Sequence, residues 1–173
     1  TNFLHGLPHW AISIALEHKG QIISGVVYDA AKDEMFFAEK GEGAWMNDQR
    51  IRVSGRSRMI EALFATGLPF AGRGDLPEVL QDLARISPVC AGVRRWGSAA
   101  LDMAYVAAGR YEGYWERRLN AWDIAAGVLL CSEAGAVVTD RIGGPVVFNS
   151  VAGCTNGLIA ASAPLHADLM DRL

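Results

Sequence analysis

Cysteine is scarce in this chain, with three residues among 173: Cys90, Cys131 and Cys154. Their number is odd, their spacings are wide and no pair has C-x-x-C form. That argues against a disulfide scaffold and predicts a reducing, cytoplasmic setting. Proline is sparse too, at six residues, and no low-complexity tract or linker interrupts the chain. No apolar run approaches the ~20 residues a membrane span needs. No basic-then-apolar leader is visible. Positive charge is not in excess: 16 Lys and Arg against 19 Asp and Glu give a net charge of −3. This predicts no membrane anchor and no direct nucleic-acid partner. The chain also lacks a G-x-x-x-x-G-K-[ST] loop and a G-x-S-x-G elbow, so neither a P-loop nor an α/β-hydrolase nucleophile is expected.

The apolar share is 51% and the charged share 20%, enough for a packed core in one domain or two small lobes. Trp10, Ile12, Ile14 and Leu16 alternate with small or polar residues, the period of a half-buried strand. Residues 21–28 and 34–39 are further strand-like runs with short polar connections, which predicts an antiparallel meander. Gly41 and Gly43 read as a break, and strands are expected near 50–53 and 61–66. Beyond residue 75 the pattern alternates. Helices are expected at 76–86, 98–107, 121–134 and 164–173, with strands at 89–95, 111–115 and 157–162. The stretch 72–75 is the weakest point. It divides an antiparallel-sheet lobe, 1–72, from an α/β lobe, 73–173.

Asn120-Ala-Trp-Asp123 places a carboxylate in the first turn of a helix, beside unpaired N–H groups and the positive end of the dipole. Asp123 there is either an ordinary capping acid or a group that meets a cation or substrate. Gly97-Ser98-Ala99 opens another helix. It is either a plain capped start or a place where backbone N–H groups meet an anionic or hydroxylated ligand. Arg94 and Arg95 precede it on a strand, so only one of them can face the helix mouth. Glu116 ends a strand seven residues before Asp123. It either accepts hydrogen bonds from substrate hydroxyls or pairs with Arg117 or Arg118. Gly6 and Pro8 speak against a zinc-binding helix carrying His5 and His9. Asp102 and Glu133 lie on helices and read as paired surface acids or as acids that support a site.

Together these residues resemble the inositol monophosphatase family. Thr1-Asn2-Phe3-Leu4-His5-Gly6-Leu7-Pro8 is similar to the tail of the family's first signature, Asp-Pro-Ile/Leu-Asp-Gly-Thr-x-Asn-Phe. Trp122-Asp123-Ile124-Ala125-Ala126-Gly127, continuing to Glu133-Ala134-Gly135, is similar to the second. The segments 25–29, 41–44 and 97–100 fall at the expected places between them, so the resemblance runs through essentially the whole chain. It implies a layered α/β fold, a sandwich of two sheets with helices between and outside. It also implies Mg²⁺-dependent hydrolysis of a small-molecule phosphate monoester, foremost myo-inositol 1-phosphate, and a homodimer. By the same resemblance Asp123 is a metal ligand and catalytic group that also meets substrate, and Gly97, Ser98, Ala99 and Glu116 bind substrate. The Asp-Pro-Ile/Leu-Asp-Gly-Thr stretch of the first signature does not occur in the chain. An N-terminally cropped protein is therefore expected, with most metal ligands outside it and no activity of its own. Related phosphatases acting on histidinol phosphate, fructose bisphosphate or a 3′-phosphonucleotide are the nearest alternatives. A non-catalytic regulator of the transcription machinery is the alternative from another class.

Overall fold

A computed structural model of the chain describes residues 1–70, 72, 74–148 and 157–173. The first five strands, β1 (Ile12–His18), β2 (Gln21–Asp29), β3 (Glu34–Glu39), β4 (Gly43–Met46) and β5 (Gln49–Ile51), form one sheet in chain order. Every neighbouring pair is antiparallel, so the predicted meander is present. Lys19, Asp33 and Asn47 supply the left-handed backbone its turns need, at φ 51°, 54° and 50°. The sequence reading missed β4, because Gly41 and Gly43 look like breakers. In the fold the distant Glu133 carboxylate accepts from both of their N–H groups, at 2.8 and 2.9 Å, and pins the turn that starts the strand.

The second sheet contains β6 (Leu63–Thr66), β7 (Gly92–Arg94), β8 (Gly113–Glu116), β9 (Val137–Thr139) and β10 (Leu158–Ala161), in the order β7-β6-β8-β10-β9. Strand β6 runs parallel to β7 and β8, while β10 is antiparallel to β8 and β9. Strand β9 escaped prediction because three residues show no period. Strands β7 and β8 are shorter than the runs that announced them. The predicted boundary at 72–75 includes residue 73, and the cysteine count includes Cys154; both lie outside the described residues.

Among the described residues four α-helices complete the fold: α1 (Leu76–Ile86), α2 (Ala99–Ala107), α3 (Ala121–Glu133) and α4 (Ala163–Met170). Helices α2 and α3 pack on each other, and α3 covers the inner face of the first sheet. Small residues set these distances. A methyl group on Gly25 would come within 3.0 Å of the Ala126 backbone, and one on Gly127 within 2.7 Å of Met103. Helix α2 is buried from Ala100 to Ala107, which explains why it is apolar all round. Val27 and Phe36 of the first sheet, Leu101, Met103, Ile124 and Leu130 of the helices, and Tyr114 and Leu158 of the second sheet share one core. Phe64, Trp115, Ile159, Ile86 and Leu165 form a second cluster beneath α1 and α4. The molecule is thus an α/β sandwich of two sheets with helices between and outside. Cys90 and Cys131 are buried free thiols. Among the described residues no helix is long and apolar enough to cross a membrane.

The apolar side of β1 departs from expectation. Ile12, Ile14 and Leu16 are 50%, 62% and 57% exposed, because they lie on the outer face of the first sheet while α3 packs on the inner one. Register places Val26, Phe37 and Trp45 on the same outer face.

Candidate functional site

Because β6, β7 and β8 are parallel, their C-terminal ends reach the same edge of the second sheet. The starts of α2 and α3 meet that edge, so strand ends and helix N-termini converge as at many α/β ligand sites. Two adjoining cavities open there. The larger, of about 800 Å³, is lined by Gly67, Arg95, Gly97, Ala99, Glu116 and Asp123, among others. The smaller, of about 440 Å³, takes His9, Ser13, Ser98 and Ala100 and shares Asn2, Gly97, Ala99, Trp122 and Asp123 with its neighbour. The structure therefore brings Gly97, Ser98, Ala99, Glu116 and Asp123 to one region.

Asp123 is held by the start of its own helix: its Oδ2 accepts from the Asn120 N–H at 3.2 Å. The capping role is thus real, and the same residue lines both cavities. Ser98 occupies the N-cap position of α2, but its side chain makes no cap bond, contrary to the expectation that it caps. Of the two arginines before it, Arg95 lines the cavity and donates to the Leu68 carbonyl at 3.3 Å. Arg94 is not among the lining residues, as strand alternation requires.

Glu116 receives a short hydrogen bond from the Tyr114 hydroxyl. Pairing with Arg117 is not what the fold adopts, because that guanidinium forks onto Asp82 at 2.8 and 2.9 Å and reaches Glu78 at 2.8 Å. Burial pushes the Glu116 carboxyl up, and the Asp123 charge adds to the rise. The Tyr114 hydrogen bond and Arg95 oppose it. The carboxyl group has room only because residue 67 is glycine; a methyl group there would overlap it.

Several supporting residues were not read from the sequence as part of a site. Gly67, directly after the strand β6, carried one usable signal, a glycine at a strand end. Asn2 donates to the carbonyls of His9 and Trp96, both at 2.8 Å, and so clamps the first nine residues onto the turn that leads into Gly97. His9 is buried with its ring against Trp96 and Tyr105, at 5.6 and 6.2 Å between centroids, and among the described residues its Nε2 has no partner. Burial and Lys32 lower its pKa. Asp102 is only 1% exposed, and one of its carboxyl oxygens is unpartnered among the described residues. Burial, then the Glu116 charge, push it up to about 8, with Arg95 opposing.

Hydrogen-bond acceptors and exposed helix N-termini in one cavity suit a ligand that carries both hydroxyls and an anion. A complete metal centre is a different matter. Among the described residues no group of three or more His, Cys, Asp or Glu side chains is arranged to hold a metal ion. Asp123 offers a hard oxygen donor, and Mg²⁺ commonly takes one or two protein carboxylates, with water and substrate oxygens filling the rest of its shell.

Residues 1–172 match the profile of the inositol monophosphatase family. An inositol-1-monophosphatase of Mesorhizobium japonicum is 54% identical over 144 residues, covering 83% of this chain and 54% of that protein. A Nus factor SuhB of Pseudomonas aeruginosa is 48% identical over 145 residues, again covering 83% of this chain and 54% of the relative. The chain thus spans about half the length of these two curated relatives. The crystal structure of the extragenic suppressor protein suhB from Bartonella henselae superposes with a TM-score of 0.91 at 44% identity. That match covers 99% of this chain and 64% of the other. Family profile, sequence relatives and superposed structure agree: this chain belongs to the inositol monophosphatase family.

Proposed function

We propose that the whole protein hydrolyses phosphate monoesters with the help of Mg²⁺, with myo-inositol 1-phosphate as substrate, and works as a cytoplasmic homodimer. One observation carries the reading: Glu116, Asp123 and the Gly97–Ala99 turn line a single cavity in a chain of this family. The hydroxyl-rich part of the ester lies against Glu116, whose carboxylate accepts its hydrogen bonds. The backbone turn at 97–99, without bulky side chains, allows a close approach. Asp123 contributes an oxygen toward a cation and stays aligned through the Asn120 N–H. Magnesium, when bound, supplies charge neutralisation.

The test is calorimetric titration of the chain with myo-inositol 1-phosphate in Mg²⁺ buffer, beside histidinol phosphate and fructose bisphosphate. Binding of the inositol ester, weakened about tenfold or more by Glu116→Gln, is the expected result. Stronger binding of histidinol phosphate would redirect the reading to the related phosphatases. A second reading has its own support, since relatives named Nus factor SuhB reach 48% identity. On that reading the protein serves the transcription machinery without catalysis. A cellular phenotype that persists in whole protein carrying Asp123→Asn would favour it.

A further inference from the structure

Arg118 lies between two residues that turn inward. Arg117 is held by Asp82 and Glu78, and Leu119 is buried at 6% exposure. To place both neighbours inside, the backbone at 118 passes through the left-handed region, at φ 57°. The other non-glycine residues in that region among those described, Lys19, Asp33 and Asn47, all sit in hairpin connections of the first sheet. Glycine or asparagine suits such a position, whereas a long side chain there is strained. Strain of this kind persists where the side chain has work that its neighbours cannot do.

The surroundings say what that work is. Arg118 lines the larger cavity together with Glu116 and Asp123. Among the described residues its guanidinium has no carboxylate or hydrogen-bond partner, while the guanidinium next to it, on Arg117, is neutralised by two acids. The cavity, about 800 Å³, lies in the upper part of the range that small-ligand sites use, so it has room for a ligand larger than a monophosphorylated ring. A planar cationic fork at that rim matches a carboxylate or phosphate.

We propose that Arg118 is an anion-recognising residue that extends the ligand range of this cavity to phosphate monoesters carrying a second anionic group. The inference rests on the cavity being the ester site. Its test is calorimetric titration of the chain, in Mg²⁺ buffer, with inositol 1-phosphate and with inositol 1,4-bisphosphate. Arg118→Gly suits the backbone, so the variant is expected to melt no lower than the parent. It should lose about tenfold in affinity for the bisphosphate and keep its affinity for the monophosphate. Arg118→Lys keeps the charge and should recover part of the loss. Equal affinities of parent and Arg118→Gly for the bisphosphate overturn the role of Arg118 and leave the ester site standing. An equal loss for both esters has the same meaning. Failure of the parent to bind either ester overturns both.

Discussion

Gly67 has no side chain, and Glu116 fills the space one would need. The substitution Gly67→Ala must displace the carboxyl group or the strand end, because the added methyl group overlaps it. We expect a loss of about 1–3 kcal/mol in stability, typical of overpacking, together with weakened ester binding. Urea unfolding and calorimetry check the two separately. Asp102 makes a different prediction. Its carboxyl is raised from an ordinary 3.8 to about 8, so the folded chain holds a proton there that the unfolded chain has released. Stability linked to this group is complete below the unfolded value and is lost as pH rises through the window up to about 8. We expect unfolding free energy to fall by roughly 3–4 kcal/mol between pH 5 and pH 8 from this group, and Asp102→Asn to flatten that fall. Unfolding curves at several pH values in both proteins provide the check. At this scale the sequence displayed Asp123, Glu116 and the 97–99 turn, since each sits at the visible end of a helix or strand. It did not display the roles of Tyr114 or Asn2, nor that Asp102 is buried. The second carbonyl that Asn2 reaches, on Trp96, is 94 positions away, and burial of an acid depends on what packs over it.

At the scale of elements, α3 does two jobs with one residue. Asp123 caps the helix through the Asn120 N–H and lines both cavities. Asp123→Ala should therefore cost about 1 kcal/mol of stability, as other lost caps do, and should also impair binding. Asp123→Ser, which restores a capping oxygen, should recover stability without binding; thermal melts beside calorimetry separate the two. A second junction joins α1 to the loops after β8 and β9. Buried Asp82 takes Arg117 and Arg141. Asp82→Ala leaves the largely buried Arg141 without its acid and Arg117 with Glu78 alone, and we expect a loss of about 3–5 kcal/mol in urea unfolding. Helices were legible because a period of 3.6 residues persists through α1 and small-residue runs mark α2 and α3. Strand β4 was not, because its start depends on Glu133 reaching back from a helix some ninety residues later. Strand β9 was not, because an edge strand of three residues is defined by its partner and not by its own pattern.

For the whole molecule, the outer face of the first sheet matters most. Ile12, Ile14 and Leu16 stand exposed on an edge strand, beside a stacked Phe37–Trp45 pair. An uncovered apolar face with a free strand edge favours self-association. The chain is expected to form concentration-dependent assemblies in light scattering, and Ile14→Lys to reduce them with little change in melting temperature. By itself the sequence determined the layered α/β class, the family, and which acids stand at helix and strand ends, because periodicity, caps and signature motifs are local. Only the tertiary structure decided that these ends share one cavity, that Arg117 is neutralised while Arg118, among the described residues, meets no acid, and that the apolar side of β1 faces outward. Those outcomes depend on which distant segments occupy the same space, and no local pattern encodes that.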